Sequence, residues 1–236
     1  MRHILATVRA AADRYDMIQN GDSIAVGVSG GKDSVLLLCA MCEIKRFYPQ
    51  SFDIKAVTLD MCFGGENTDY TAITRLCEGY GISHTVIRTQ LASIIFDIRR
   101  EKNPCSLCAR MRRGALHDAA KELGCNKIAL GHHLDDAAQT VLMNLFSEGR
   151  VGCFAPVTYL SRKNITMIRP LIFTREREIE NTVTRLALPV VKSVCPADKA
   201  TTRESVGKLL EQLDSEYGGV TEKIVGALQR GGIDRW

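Results

Sequence analysis

Ser23-Ile24-Ala25-Val26-Gly27-Val28-Ser29-Gly30-Gly31-Lys32-Asp33-Ser34 is the stretch that decides how this chain is built. Ile24, Ala25, Val26 and Val28 form a short apolar run rich in β-branched residues, the pattern of a parallel strand covered on both faces. Ser29 to Ser34 breaks it. Two adjacent glycines let backbone N–H groups turn inward with no Cβ in the way. A helix predicted from Ser34 to about Phe47 adds its positive dipole end at the same spot. The product is an anion cradle. It is not a Walker loop, because Val26 stands where the first glycine of that pattern belongs and Asp33 follows the lysine.

Outward from this loop, strands and helices alternate. Residues 1–18 have apolar positions at helical spacing, and Asn20-Gly21-Asp22 turns the chain into the first strand. After Pro49, residues 54–60 read as a second strand. Its end, Leu59-Asp60, is expected beside the first loop, where a nucleotide's base and ribose commonly bind, or Asp60 caps the next turn. A helix is predicted over Thr68–Tyr80, a third strand over His84–Arg88, and a helix over Leu91–Arg100 broken at Asn103-Pro104. Cys108–Leu123 is a further helix stopped by Gly124, and residues 127–130 make a fourth strand. Asp135–Ser147 is helical, Ile165–Ile168 a fifth strand, Arg175–Leu186 a helix, and residues 202–236 two terminal helices. This alternation predicts an α/β fold, an open and mostly parallel sheet with helices on both faces. The expected organisation is an N-terminal helix in 1–20, a central domain in 21–200 and a helical segment in 201–236.

No apolar run is long enough to span a bilayer, and the first residues lack a signal-peptide core, so the cytoplasm is the expected compartment and no membrane partner is expected. Nine scattered cysteines, an odd number, argue against a secreted disulfide framework. Charge is uneven. Residues 99–121 carry seven Lys/Arg against two Asp/Glu and residues 160–203 nine against four, so each stretch is +5 in a chain of net charge +4. Two such regions suggest a polyanionic partner, against the plainer alternative of solvated helix faces.

Gly131-His132-His133-Leu134-Asp135-Asp136 follows the fourth strand, at the sheet edge that also carries the anion cradle. Two adjacent carboxylates beside a polyphosphate suit Mg²⁺, and the alternative is that Asp135 only caps its helix. Pro104-Cys105-Ser106-Leu107-Cys108 offers two thiols at a helix N-terminus. They suit a redox pair, half a zinc site, or two ligands of an iron–sulfur cluster. No second Cys-x-x-Cys exists, and the best further partner is Cys195. Cys39, Cys42, Cys62, Cys77, Cys125 and Cys153 read as packing thiols.

Ser-Gly-Gly-Lys-Asp-Ser resembles the PP-loop of the N-type ATP pyrophosphatases, with the adenine nucleotide α-hydrolase-like fold. Together with Pro-Cys-Ser-Leu-Cys-Ala-Arg-Met-Arg-Arg-Gly-Ala-Leu, Lys-Ile-Ala-Leu-Gly-His-His-Leu-Asp-Asp and Ile-Arg-Pro-Leu, it makes residues 18–195 similar to the TtcA family of tRNA 2-thiocytidine synthetases. The resemblance implies a [4Fe-4S] cluster on Cys105, Cys108 and Cys195, with Mg²⁺ as a further cofactor, ATP as substrate and tRNA as partner. Family members often carry a second Cys-x-x-Cys where this chain has Cys195 alone. Carried over, ATP binding falls to Ser29, Gly30, Gly31, Lys32, Asp33, Ser34, Leu59, Asp60 and Gly131, and Mg²⁺ to Asp135 and Asp136. Catalysis falls to Lys32, Asp135, Asp136 and Arg112, and the RNA backbone to Arg110, Arg112 and Arg113. A cysteine desulfurase or inorganic sulfide is the expected sulfur donor, and a homodimer is left open. The alternatives are another ATP-dependent synthetase with structural zinc, and a non-enzymatic iron–sulfur or RNA sensor.

Overall fold

The computed structural model describes residues 1–99, 104–192, 194–195 and 202–236. The deciding stretch folds as read: β1 is Asp22–Gly27, and the helix α2, Lys32–Lys45, follows after the glycine turn. That helix starts two residues earlier than expected, because Gly31 is already its N-cap. The remaining strands are β2 (Phe52–Asp60), β3 (His84–Arg88), β4 (Lys127–Ala129), β5 (Val157–Leu160) and β6 (Ile165–Ile168). The other helices are α1 (Arg2–Arg14), α3 (Thr71–Gly79), α4 (Pro104–Glu122), α5 (Leu134–Glu148), α6 (Glu176–Arg185), α7 (Thr202–Tyr217) and α8 (Val220–Gly231).

The six strands lie in the order β3-β2-β1-β4-β6-β5, parallel except for β5, which pairs antiparallel with β6. From β1 the chain moves to β2 and β3 on one side, then returns to β4 and β6 on the other. That reversal opens a crevice at the carboxyl ends of β1 and β4, the position where open α/β sheets bind ligands.

Alternation along the strands builds two cores. Ile24 and Val26 face one side with α1, α2, α5, α7 and α8, while Ala25, Val57 and Ile128 face the other with Leu116, Ala119 and Ala120 of α4. Leu36, Leu37 and Leu38 of α2 are fully buried, each contributing about 1.5–3 kcal/mol. The first core also takes in Ile4, Val8, Val206, Leu210, Val225, Leu228 and Trp236, so the terminal helices pack into the body of the fold. Among the described residues no helix is long and apolar enough to cross a membrane.

Several expected boundaries move for local reasons. α3 begins at Thr71, not Thr68, because Thr68 is tied to Asp60 through its amide and hydroxyl. The helix expected from Leu91 has π geometry over Ser93–Ile98, and its expected end at Arg100 lies outside the described residues. α4 begins at Pro104, four residues before the expected Cys108, since proline is well suited to a first helical turn. Both cysteines therefore lie inside its first turns. The strand at Ile165–Ile168 is the sixth, not the fifth. The sequence reading missed β5, a four-residue edge strand with Tyr159 57% exposed, which carries little apolar signal.

Candidate active site

Ser34 Oγ closes the glycine turn: Ser29 N donates to it at 3.1 Å, and it donates to Gly31 O at 2.9 Å. Gly30 has φ +91°, and a Cβ there would stand 2.9 Å from Val191 Cβ. Gly131, leaving β4, presses on the same loop so closely that a Cβ would meet Asp33 C and Ser34 N at 3.2 Å. Glycine is required at Gly30 by both its φ and this contact, while a side chain at Gly131 would push the loop backbone back by a few tenths of an ångström.

A cavity of about 530 Å³ opens above this loop. Its floor comes from Gly27, Val28, Ser29, Asp33 and Ser34, with Val57 and Leu59 at the β2 end and Gly131 and His132 at the β4 end. α4 forms one wall through Ala109, Arg112, Arg113 and Leu116; Phe154, Arg169, Asp136, Thr140 and Arg203 complete the far end. Of the residues expected to meet ATP, Ser29, Asp33, Ser34, Leu59 and Gly131 line the cavity, while Gly30 and Gly31 shape the loop beneath.

Three of the expected residues, Lys32, Asp60 and Asp135, do not line the cavity. Lys32 does not line the cavity: its Nζ donates to Glu176 Oε1 at 2.6 Å, with Asp33 at 3.3 Å and Glu180 at 3.7 Å. Burial works against its charge, but these carboxylates win and raise its pKa. Asp60, 1% exposed, does not face the cavity either. Its carboxylate accepts from Cys62 N, Thr68 N and Thr68 Oγ1, which makes it the tie of the loop after β2. Asp135 and Asp136 have different neighbours. Asp135 accepts from Glu176 N at 2.7 Å and lies 3.1 Å from Arg175 Nε. Asp136 alone of the two lines the cavity, 2.9 Å from Arg203 Nη1.

The carboxylate that accompanies Asp136 at the cavity is Asp33. Burial raises its pKa and the Asp136 charge adds to that, while Lys32 and His133 work the other way. Asp33 Oδ1 is buried without a hydrogen-bond partner, lying 3.3 Å from Lys32 Nζ but not in bonding geometry. Between these groups sits His133, the N-cap of α5. Burial disfavours its protonated ring, yet Asp135, Asp136, Asp33 and Glu176 together raise its pKa. His132 beside it goes the other way: burial pushes its pKa down to about 4, so the ring is neutral.

Behind the site stands a hub that was not anticipated. Arg175 reaches Asp135 at 3.1 Å, Asp214 of α7 at 2.7 Å and Glu222 of α8 at 2.6 Å. Part of the second basic stretch is engaged within the fold: Arg175 is paired with carboxylates, Arg203 with Asp136, and Arg169 is 5% exposed, while Arg162, Arg177, Arg185 and Lys192 are exposed. Arg169 follows β6 directly, and its place at the carboxyl end of a strand was the signal available to find it.

The cysteines lie at the other end of α4. Cys105 is exposed, while Cys108 and Cys195 are half-buried. Burial raises the Cys108 pKa, Arg112 opposes this, and the charges of Cys195 and Cys105 add to it, so all three thiols share one electrostatic neighbourhood. Among the described residues, no three His, Cys, Asp or Glu side chains come close enough to hold one metal ion. Cys39, Cys42 and Cys77 are buried and Cys153 half-buried, and burial pushes their thiols up to about 11, 12, 11 and 12. Arg110, Arg112 and Arg113 are all exposed, and Arg112 and Arg113 line the cavity while Arg110 does not.

A doubly wound sheet whose switch point carries this glycine turn, with a carboxylate pair at a cavity, defines a nucleotide-binding protein of the PP-loop class. A family model described as a PP-loop domain matches residues 5–212. The tRNA-cytidine(32) 2-sulfurtransferase of Geobacter metallireducens is 40% identical over 223 residues, covering 93% of this chain and 86% of the relative. That of Syntrophotalea carbinolica is 36% identical, covering 94% and 86%. Among solved structures, the U34-tRNA thiolase NcsA from Methanococcus maripaludis with its [4Fe-4S] cluster superposes with TM-score 0.77 at 29% identity, covering 95% of this chain and 77% of that one. An NH3-dependent NAD synthetase from Campylobacter jejuni, at 16% identity and TM-score 0.50 over 97% of this chain and 93% of its own, shares the fold. The chain belongs to the tRNA-cytidine(32) 2-sulfurtransferase family of PP-loop proteins.

Proposed function

We propose that this protein uses ATP to activate the C2 carbonyl oxygen of a tRNA cytidine, position 32 as in its relatives' name, and replaces that oxygen with sulfur. The observation that carries this reading is the double use of α4. Ala109, Arg112, Arg113 and Leu116 wall the cavity above the PP-loop, and Cys105 and Cys108 stand at the start of the same helix. At 1.5 Å per residue, Cys108 is about 6 Å along the axis from Arg112.

The residues fit the groups required. ATP suits a cavity with an apolar end at Val57 and Leu59 and an amide-lined glycine loop beside it. Mg²⁺ suits Asp33 and Asp136, since the unsatisfied buried oxygen of Asp33 lacks a partner that a cation supplies. Asp135, retained by Arg175, holds the shape of the site from behind. Lys32 is poised at the loop and reaches the phosphates only by leaving Glu176. Cys105, Cys108 and Cys195 suit an iron–sulfur cluster: three thiols in one neighbourhood, two of them in the first turns of α4. When bound, a [4Fe-4S] cluster with three protein ligands supplies an open iron position for sulfur. Arg112, beside both Cys108 and the cavity, holds the activated base, and Arg110 meets the RNA backbone outside. Sulfur arrives from a cysteine desulfurase or inorganic sulfide on the side where Cys105 is exposed.

The test is anaerobic reconstitution with iron and sulfide, then incubation with unmodified tRNA, ATP and Mg²⁺ and mass spectrometry of the nucleosides. The expected result is 2-thiocytidine with release of pyrophosphate. Pyrophosphate release with small molecules and no thiolated nucleoside would return the protein to the broader class of PP-loop synthetases.

A further inference from the structure

Most inward-facing cations near the site have an internal carboxylate: Lys32 has Glu176, Arg175 has Asp135, Arg203 has Asp136. Arg169 does not. It is 5% exposed, with its guanidinium 4.9 Å over the Phe154 ring. Its Nη1 donates to Ala155 O at 2.5 Å and Thr158 Oγ1 at 3.2 Å, and its Nε is buried with no partner. Among the described residues no carboxylate is paired with it. Burial pushes its pKa down to about 10 and the Arg113 charge from α4 adds to that, yet at neutral pH it stays a cation. A buried guanidinium facing a second one, with no counter-charge, is a costly arrangement until an anion enters.

The same corner holds another unused group. His132 packs its ring 4.9 Å from Phe154, and its Nδ1 is buried without a partner. Arg113, Arg169 and His132 all line the cavity above the PP-loop. They stand at its β4 and β6 end, while its apolar end lies at β2. Three inter-strand spacings, about 14 Å, separate the two ends along the sheet edge. A nucleotide with its base on Val57 and Leu59 therefore directs its phosphates toward Arg169.

We propose that Arg169, with Arg113 and His132, forms the seat of the pyrophosphate portion of ATP, the part that departs when the base is adenylated. This deepens the function proposed above and rests on it. In that step the base oxygen bonds to the α-phosphorus, the bond from that phosphorus to the bridging oxygen breaks, and the electron pair leaves with pyrophosphate. Arg169 and Arg113 take up the charge that builds on the departing oxygens. The PP-loop amides and these arginines then grip the leaving group from opposite sides. The shared chemistry is a phosphate anion, which an RNA backbone also offers, so the test separates the two sources.

Inorganic pyrophosphate, AMP and unmodified tRNA are titrated separately into the full chain by calorimetry, for wild type, Arg169→Met, Arg169→Lys and Arg113→Gln. Arg169→Met is expected to weaken pyrophosphate binding about ten- to a hundredfold, with AMP and tRNA binding unchanged. Arg169→Lys should recover part of the loss. Arg113→Gln, on an exposed part of α4, should weaken pyrophosphate binding without lowering the melting temperature, which guards against Arg169→Met merely loosening the fold. Unchanged pyrophosphate affinity in both Arg169→Met and Arg113→Gln overturns the proposal. So does an equal loss for AMP, which makes Arg169 a prop for the Phe154 loop, or a loss confined to tRNA, which makes the anion an RNA phosphate. Wild type that binds pyrophosphate yet makes no 2-thiocytidine instead overturns the wider functional reading and leaves this seat intact.

Discussion

The two ends of the site joined by α4 follow opposite plans. At the PP-loop end, position is fixed from within: Gly131 abuts the loop backbone, His133 sits among four acidic side chains, and Arg175 ties Asp135 to α7 and α8. At the cysteine end, Cys105 is exposed, Cys108 and Cys195 are half-buried, and the three thiols come from α4 and a distant loop. The first end is preorganised by the fold itself. The second keeps its thiols at or near the surface. Electrostatic preorganisation serves adenylation, which needs fixed dipoles, while a metal centre brings its own bonds.

The comparison breaks first at the cysteines, where the largest effect is expected. Replacing Cys105, Cys108 or Cys195 by Ala should eliminate 2-thiocytidine from tRNA and bleach the brown reconstituted protein. The stability of the cluster-free chain should change by less than about 1 kcal/mol. Cys195→Ala is decisive, and a variant that keeps its iron and its product would place the third ligand elsewhere.

At the other end the expected loss is of stability. Asp135→Ala takes one of three carboxylates from Arg175 and the acceptor from the Glu176 amide, and should cost about 1–3 kcal/mol in urea melts. A cost near zero would mean the hub is not what organises the loop. Asp33→Asn and Asp136→Asn should instead leave the melt nearly intact and raise the Mg²⁺ needed for pyrophosphate release about tenfold. An equal Mg²⁺ effect in Asp135→Asn would restore the paired-clamp reading.

The smallest effect sharpens the contrast through pH. Burial raises the Asp214 pKa, but the amide and hydroxyl of Thr221 and the guanidinium of Arg175 outweigh it and hold the carboxyl at about 2, below its ordinary 3.8. Its folded pKa is depressed, so its contribution is complete above about pH 4 and fades as the pH falls toward 2. Acid melts of wild type and Asp214→Asn should converge across that window. A gap that persists at pH 2 would assign the difference to packing.

How much of this was legible follows from sequence distance. The PP-loop and the CxxC each lie within a few consecutive residues, so their chemistry showed in the string itself. The Arg175 hub joins positions 135, 175, 214 and 222, and no local pattern announces such a meeting. The same limit applies to charge: the string shows residues 160–203 as one basic stretch, whereas Arg169 is buried, Arg175 and Arg203 are tied to carboxylates, and Arg162, Arg177, Arg185 and Lys192 are exposed. Asp135 and Asp136 looked like one clamp because they are adjacent. Successive residues on a helix point about 100° apart, and these two serve different neighbours.

The contact at Gly131 has a consequence for anyone redesigning this protein. A methyl there would meet Asp33 and Ser34 backbone atoms at 3.2–3.3 Å, and backbone, unlike a side-chain tip, has no rotamer with which to yield. The strand exit and the loop must therefore separate by a few tenths of an ångström together. Gly131→Ala is thus a graded spacer, one methyl thick, that widens the nucleotide seat without adding or removing any charged group.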